Sequence, residues 1–398
     1  MKRSQELLQQ AQNYLARDLE KSQAVMKYGR GAKVFDQDGG SYTDYCLSHG
    51  ALIAGHAHRN VILAIKRSVN RGISFDTVTK AEIDLARHIV NSVPSIERVC
   101  FMENAVQAII ESVKTARAFT SREKVIVIEG YLQNDTLETL YEKTDIIRLT
   151  FNDINSFAKA VAENKNGIAC VVAPPIKIVK GMTLPQSDYL KKLREITNQY
   201  GIVLIFDETI TGFRTSRDCV QGDFNVIPDM TCLGGIIGGG FPLGAFGGKR
   251  GIMDVSSCQR SMRQLASSFG NRVIMRAGLA QLKLLGKDFY STLNTRCENF
   301  VNQINAFFRK EGMAVYIASY KSMFSIHFTR DDDHSCCRDQ NEADNQKYGD
   351  LHRYLLDNNI SGPPSGRGVY FISGMHSQKD LNQLTEVLME YFQQAETG

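Results

Sequence analysis

The sequence has no long hydrophobic run. Its longest nearly apolar stretch, Gly234 to Gly248, is dense in glycine and too short to cross a bilayer. The first ten residues, from Met1-Lys2-Arg3 to Gln9-Gln10, have no apolar core, so no secretory signal is expected there. Charge of one sign is scarce too. The net charge is only +4 and no basic run interleaves with aromatics, so nucleic acid is not an expected partner. The nine cysteines are scattered and odd in number, which argues for free thiols in a reducing compartment. Internal repeats and low-complexity linkers are absent as well. These absences together predict a cytoplasmic protein with no membrane partner.

What remains is an ordinary globular composition: 398 residues, 43% hydrophobic and 23% charged, enough to bury a sizeable core. The stretch from Ser4 to Lys27 reads as a polar helix. Val34 to Tyr45 reads as a hairpin turning at Asp38-Gly39. Apolar β-branched runs then recur at Val125–Ile128, Ile168–Val172 and Ile202–Phe206. Helix-period stretches lie between them near Ile154 to Glu163 and Ser187 to Tyr200. Strands apolar on both faces and separated by helices predict a mostly parallel sheet covered on both sides. Ligands of such sheets sit beyond the carboxyl ends of the strands, where Asp207-Glu208 and Glu129-Gly130 fall. The expected division is an N-terminal helix and hairpin segment over 1–60, a large α/β domain over 61–287 and a smaller α+β domain over 288–398.

Several ungapped blocks resemble the class III aminotransferases, and the glutamate-1-semialdehyde aminomutase branch in particular. They are Asp44-Tyr45 with Gly55-His56-Ala57-His58, Val93 to Val99, Leu204 to Arg214, and Leu233-Gly234-Gly235-Ile236-Ile237-Gly238-Gly239-Gly240-Phe241-Pro242 through Gly248. The resemblance implies the fold-type I architecture and a pyridoxal phosphate (PLP) pocket. In that family a lysine stands between Leu-Gly and Ile-Ile-Gly-Gly-Gly, where its amine condenses with the cofactor aldehyde and later moves a proton. Here that position is Gly235. Asp207 matches the aspartate that keeps the pyridine nitrogen protonated, although an Asp at a strand end can also cap the following turn.

The rest of the pocket diverges from the family pattern. The phosphate-binding helix start, Asn-Ser-Gly-Thr-Glu-Ala in the family, is Glu103-Asn104-Ala105-Val106-Gln107-Ala108. Leu132 and Gln133 stand where an aromatic stacks on the ring and a histidine follows. Ser267 keeps a hydroxyl where a threonine reaches across the dimer. The resemblance thus makes Asp207, Asn104, Ala105, Val106, Leu132, Gln133 and Ser267 the pocket positions. It leads to the expectation of no covalently held cofactor, with PLP or pyridoxamine phosphate (PMP) only a weak non-covalent ligand. The implied function is a degenerate aminotransferase or aminomutase homologue, a pseudoenzyme or regulatory subunit. Such a subunit would form a homodimer or pair with a lysine-bearing paralogue. Two alternatives stand beside it: a repurposed pocket for PLP, PMP or another small molecule, and an aminomutase-like transaminase.

Other features carry less. Lys249 lies near Gly235, but its spacing does not aim it at the site. Gly238-Gly239-Gly240 has the spacing of neither dinucleotide nor nucleotide loops. Asp331, Asp333, His334, Cys336 and Cys337 fit no zinc pattern, and no metal is expected. His56 and His58 read as packing histidines, and Cys100, Cys170 and Cys232 as core thiols.

Overall fold

Strands β1 (Met26–Arg30), β2 (Lys33–Asp36) and β3 (Ser41–Asp44) open the chain after a helix over Lys2–Tyr14. Seven strands follow: β4 (Arg98–Met102), β5 (Lys124–Ile128), β6 (Ile146–Leu149), β7 (Ile168–Ala173), β8 (Val203–Glu208), β9 (Met230–Leu233) and β10 (Gly244–Gly248). The C-terminal part carries β11 (Tyr316–Tyr320), β12 (Met323–His327), β13 (Ile360–Ser361) and β14 (Tyr370–Phe371). This computed structural model describes residues 2–16, 24–75, 77–130, 145–179, 181–255, 270–329, 342–364 and 368–397. Among them no helix is long and apolar enough to cross a membrane.

Among the described residues the chain divides into two compact units, one joining those up to His58 to those from Thr292 onward and the other spanning those of Arg59–Ser291. In the first unit the hairpin pairs Val34 with Tyr42 and Phe35 with Ser41. Its turn is fixed by Asp36, whose Oδ1 accepts from the amides of Asp38 and Gly40 at 2.9 and 2.6 Å. The N-terminal helix is shorter than its polar pattern suggests, because Lys27 lies within β1. Once the chain pairs with β2, extended backbone excludes helix there. His56 is a structural histidine in this unit, with Nε2 2.7 Å from Asp44 Oδ2.

The second unit is built on a seven-stranded sheet of order β4-β10-β9-β8-β7-β5-β6. β5 pairs in parallel with β6 and β7, β7 with β8 and β8 with β9, while β10 runs antiparallel to β4 and β9. This is the mostly parallel, helix-covered α/β sheet that the two-sided apolar runs predict. Its two faces bury separate cores. One packs Val125, Val127, Cys170, Val203 and Ile205 under the Ala105–Thr120 helix. The other packs Ile126, Val171, Leu204 and Phe206 under the Ile154–Glu163 and Tyr189–Tyr200 helices. Cys170 and Cys232 are buried free thiols, as expected. Cys100 lies at the core edge and is disulfide-bonded, which corrects the expectation that every cysteine is free.

Candidate active site

Strand alternation sends neighbouring side chains to opposite faces, and at the end of β8 it separates two acids with different work. Asp207 is 6% exposed. Its Oδ1 accepts from the Thr209 amide at 3.1 Å and from Thr209 Oγ1 at 2.6 Å. Burial raises its carboxyl above the usual range, and the Thr209 hydrogen bonds only partly offset this. No lysine, arginine or histidine of the described residues forms an ion pair with it.

Glu208 instead holds the chain that follows. Its Oε2 accepts from the Val220 amide at 2.8 Å and its Oε1 from Gln221 Nε2 at 3.1 Å. Burial pushes this carboxyl from 4.5 up to about 7. A carboxyl whose folded value exceeds its unfolded one contributes stability at low pH, and that contribution is lost as pH rises through the folded value. Glu208→Gln is therefore expected to gain on the wild type by about 3 kcal/mol between roughly pH 4.5 and pH 8. Urea unfolding of both proteins at the two pH values checks this. A constant difference would show that burial does not control this group.

Beside β8, β9 ends at Leu233 and the chain turns into a short 3-10 helix over Gly235–Gly238. Gly235 opens that turn with φ +45°, a left-handed conformation that glycine adopts without strain. Gly234 must also lack a side chain. A Cβ there would lie 2.9 Å from the Thr209 carbonyl oxygen and 3.0 Å from Ala105 Cβ. That contact brings the Gly235 turn, the Asp207 loop and the start of the Ala105–Thr120 helix to one edge of the sheet. Lys249 is not part of this edge. Its ammonium pairs with Asp229 at 2.6 Å, just before β9 begins, at the opposite end of the strands.

At the helix start, Asn104 caps its own helix, with Oδ1 accepting from the Gln107 amide at 3.0 Å. One amide that could hold an anion is therefore already satisfied. Val106 packs against the core beneath the sheet rather than offering a polar atom. Ala105 is accommodated because its neighbour across the contact is Gly234.

At the ends of β5 and β7, Glu129 Oε2 lies 2.9 Å from Lys177 Nζ. Gly130 sits against Pro174, where an added Cβ would meet the ring at 2.9 Å. Lys177 is absent from the pocket positions named from sequence. A lysine flanked by two isoleucines is the available signal of a buried ammonium. Leu132, Gln133, Ser267 and the Asp331 to Cys337 group lie outside the described residues.

The Aminotransferase class-III family matches residues 14–344. Glutamate-1-semialdehyde 2,1-aminomutase of Thermodesulfovibrio yellowstonii is 34% identical over 91% of this chain and 90% of its own length. The protein of the same name from Syntrophus aciditrophicus is 35% identical over 90% and 88%. Among solved structures, an omega-transaminase from Sphaerobacter thermophilus superposes with TM-score 0.88 at 26% identity, covering 99% of this chain and 98% of that one. A transaminase solved with PLP bound superposes with TM-score 0.87 at 23% identity, covering 99% and 97%. These matches overturn the expectation that no cofactor is held covalently and that PLP or PMP could be only a weak ligand. The chain matches aminotransferases and aminomutases along nearly its whole length.

Proposed function

The chain belongs to the class III aminotransferase family, and from that premise we propose that it moves amino groups on a PLP cofactor at the carboxyl edge of the seven-stranded sheet. The proposed substrate class is that of glutamate 1-semialdehyde: a short chain carrying an amine beside an aldehyde. The observation that carries this reading is Asp207. A buried carboxylate without a cationic partner is costly, and a protonated ring nitrogen is the partner that would restore its charge. When bound, the cofactor supplies a reversible carbon–nitrogen condensation and a ring that draws electrons from the carbon losing its proton. Thr209 fixes the Asp207 carboxylate through Oδ1. Glu208 anchors the Val220-Gln221 segment behind it. The amides at the start of the Ala105–Thr120 helix favour an anion there, although Asn104 occupies one of them.

A second reading is favoured by Gly235 together with the self-capped helix start. In it the chain binds cofactor but does not turn over alone, acting as the partner of a second copy or of a lysine-bearing paralogue. One experiment addresses both. The full chain is incubated with PLP, analysed by native mass spectrometry, and assayed for loss of glutamate 1-semialdehyde. One PLP retained per chain with consumption of the semialdehyde is expected. Retention without turnover, reversed by adding a lysine-bearing paralogue, supports the second reading. A chain that retains no PLP overturns both.

A further inference from the structure

Asp207 and Glu208 are neighbours in β8, so their side chains take opposite faces of the sheet. Glu208 is 1% exposed and is met by donors. The Val220 amide reaches Oε2 at 2.8 Å, and the Gln221 amide and Nε2 reach Oε1 at 3.4 and 3.1 Å. Thr211 Oγ1 lies 3.4 Å from Oε2. The orientation of the Gln221 side chain is fixed. Its Oε1 accepts from the Ser95 amide at 3.0 Å, which turns Nε2 towards Glu208 and towards Thr231 Oγ1 at 3.0 Å. Thr231 in turn bonds Ser95 Oγ at 2.7 Å. Only the Thr211 hydroxyl can reverse its role; the other groups on Glu208 are obligate donors. A carboxylate satisfies them all, whereas a neutral carboxyl or an amide at this position turns a hydrogen onto a donor.

The main chain of Glu208 is held as well. Its carbonyl accepts from the Gly212 amide at 2.8 Å, and a Cβ on Gly212 would lie 2.6 Å from that oxygen. Glu208 thus stands between the two halves of a clasp, since Thr209 donates twice to Asp207 Oδ1. Fixing the middle residue fixes where the outer two meet. Among the described residues no donor reaches Asp207 Oδ2, the oxygen left for a ligand. The other groups around Glu208 that carry or can gain charge are Asp223 and the Cys219 thiol on the Cys219–Phe224 helix, and Asp207 on its own strand. Burial lifts the Cys219 thiol well above its usual range, so it stays neutral. β9 and Ser95 bring only hydroxyls and amides to this network. Burial lifts the Glu208 carboxyl to about 7 against the pull of its donors.

We propose that Glu208 is a positioning residue for the amino-group transfer: as a carboxylate it clamps the 207–212 turn to the Val220-Gln221 and Ser95 segments and so sets Asp207 Oδ2 against the ring nitrogen. This rests on the reading that a PLP-class cofactor meets Asp207. Protonating Glu208, or replacing it with an amide, leaves β8 folded but lets the clasp move. The hold on the ring therefore strengthens as pH rises through the value at which Glu208 ionises. Stability runs the other way, because ionising a buried acid is costly. Affinity and stability thus separate a positioning role from a merely structural one.

The test is equilibrium dialysis of the full-length wild type and Glu208→Gln against PLP at about pH 5.5 and about pH 8.5, with urea midpoints taken on the same samples. The ratio of the two affinities removes the titration of PLP itself. It is expected to be near one at the lower pH, where the wild type is protonated and resembles the variant. At the higher pH the wild type is expected to bind at least about tenfold more tightly, the size of one charge-assisted hydrogen bond. The variant should there be the more stable protein, so its weaker binding cannot come from unfolding. Gln221→Met removes Nε2 but keeps both main-chain donors. It is expected to move the midpoint of the affinity change to higher pH, since a bond favouring the carboxylate is lost. A wild-type to Glu208→Gln ratio that is the same at both pH values, or an unmoved midpoint in Gln221→Met, overturns the role of Glu208 and leaves the proposed function standing. Absence of PLP binding by the wild type at either pH overturns both.

Discussion

Asp207→Ala is expected to weaken PLP retention by about a hundredfold or more, because breaking a buried charge pair costs roughly 3–5 kcal/mol and each 1.4 kcal/mol is a tenfold change. The size follows from burial. In water an acid and a protonated ring nitrogen attract weakly, but this carboxylate is 6% exposed and its hydrogen-bond donors are both on Thr209. Asp207→Asn separates charge from shape. An asparagine oxygen still accepts from Thr209, so the folded chain keeps its turn. Because burial raises the Asp207 carboxyl, the unliganded Asn variant should be at least as stable as the wild type at neutral pH, while its affinity for PLP falls. Equilibrium dialysis and thermal melts on the three proteins measure the two quantities. Equal affinity in the wild type and the Asn variant would remove Asp207 from the site.

Gly278→Ala should abolish soluble folding or cost more than about 4 kcal/mol, a size reached only when a buried backbone contact is forced apart. In an exposed helix the same substitution is favourable by roughly 0.5–1 kcal/mol. Gly278 lies in the Arg272–Leu282 helix, and a Cβ there would fall deep inside contact with the Ile237 carbonyl oxygen. The helix rests directly on the 3-10 turn that begins at Gly235, and Gln281 Nε2 donates to the Ile236 carbonyl at 2.7 Å. Neither partner can yield, since one is a helix backbone and the other a buried turn. Gly349→Ala is the internal control. Gly349 is exposed in the Glu342–Asp357 helix with nothing within 4 Å of an added Cβ. Chemical unfolding should show opposite signs for the two variants. A mild effect at Gly278 would mean that the helix can lift from the turn without loss.

The parts of this fold that sequence makes legible are those where composition and geometry agree. Val125–Ile128, Ile168–Val172 and Ile202–Phe206 are apolar on both faces because both faces are covered, and each is a strand within a residue or two of its reading. β10 is illegible for the opposite reason. Gly244-Ala245-Phe246-Gly247-Gly248 has little strand propensity. Glycine is needed there because a Cβ on Gly244 would strike the Asn104 carbonyl and one on Gly247 would lie 2.6 Å from the Arg98 carbonyl oxygen. Tertiary closeness selects these residues, and no periodicity records it. At the site, Asp207 and Gly235 are legible from neighbouring blocks of sequence, whereas Asn104 as a self-cap and Lys177 as a buried amine are not. Both depend on which atoms lie opposite, and a one-dimensional pattern is silent on that.

The row of strand ends has a consequence for how chemistry and architecture can part company. Asn104, Glu129 and Gly235 stand just past the ends of β4, β5 and β9, Asp207 is the penultimate residue of β8, and the strands are joined through covered faces that none of these four residues helps to build. Each terminus behaves as a separate socket. A residue can be exchanged in one socket while the scaffold and the remaining sockets stay put, so an intact sheet is no guarantee that the same atom still does the same job.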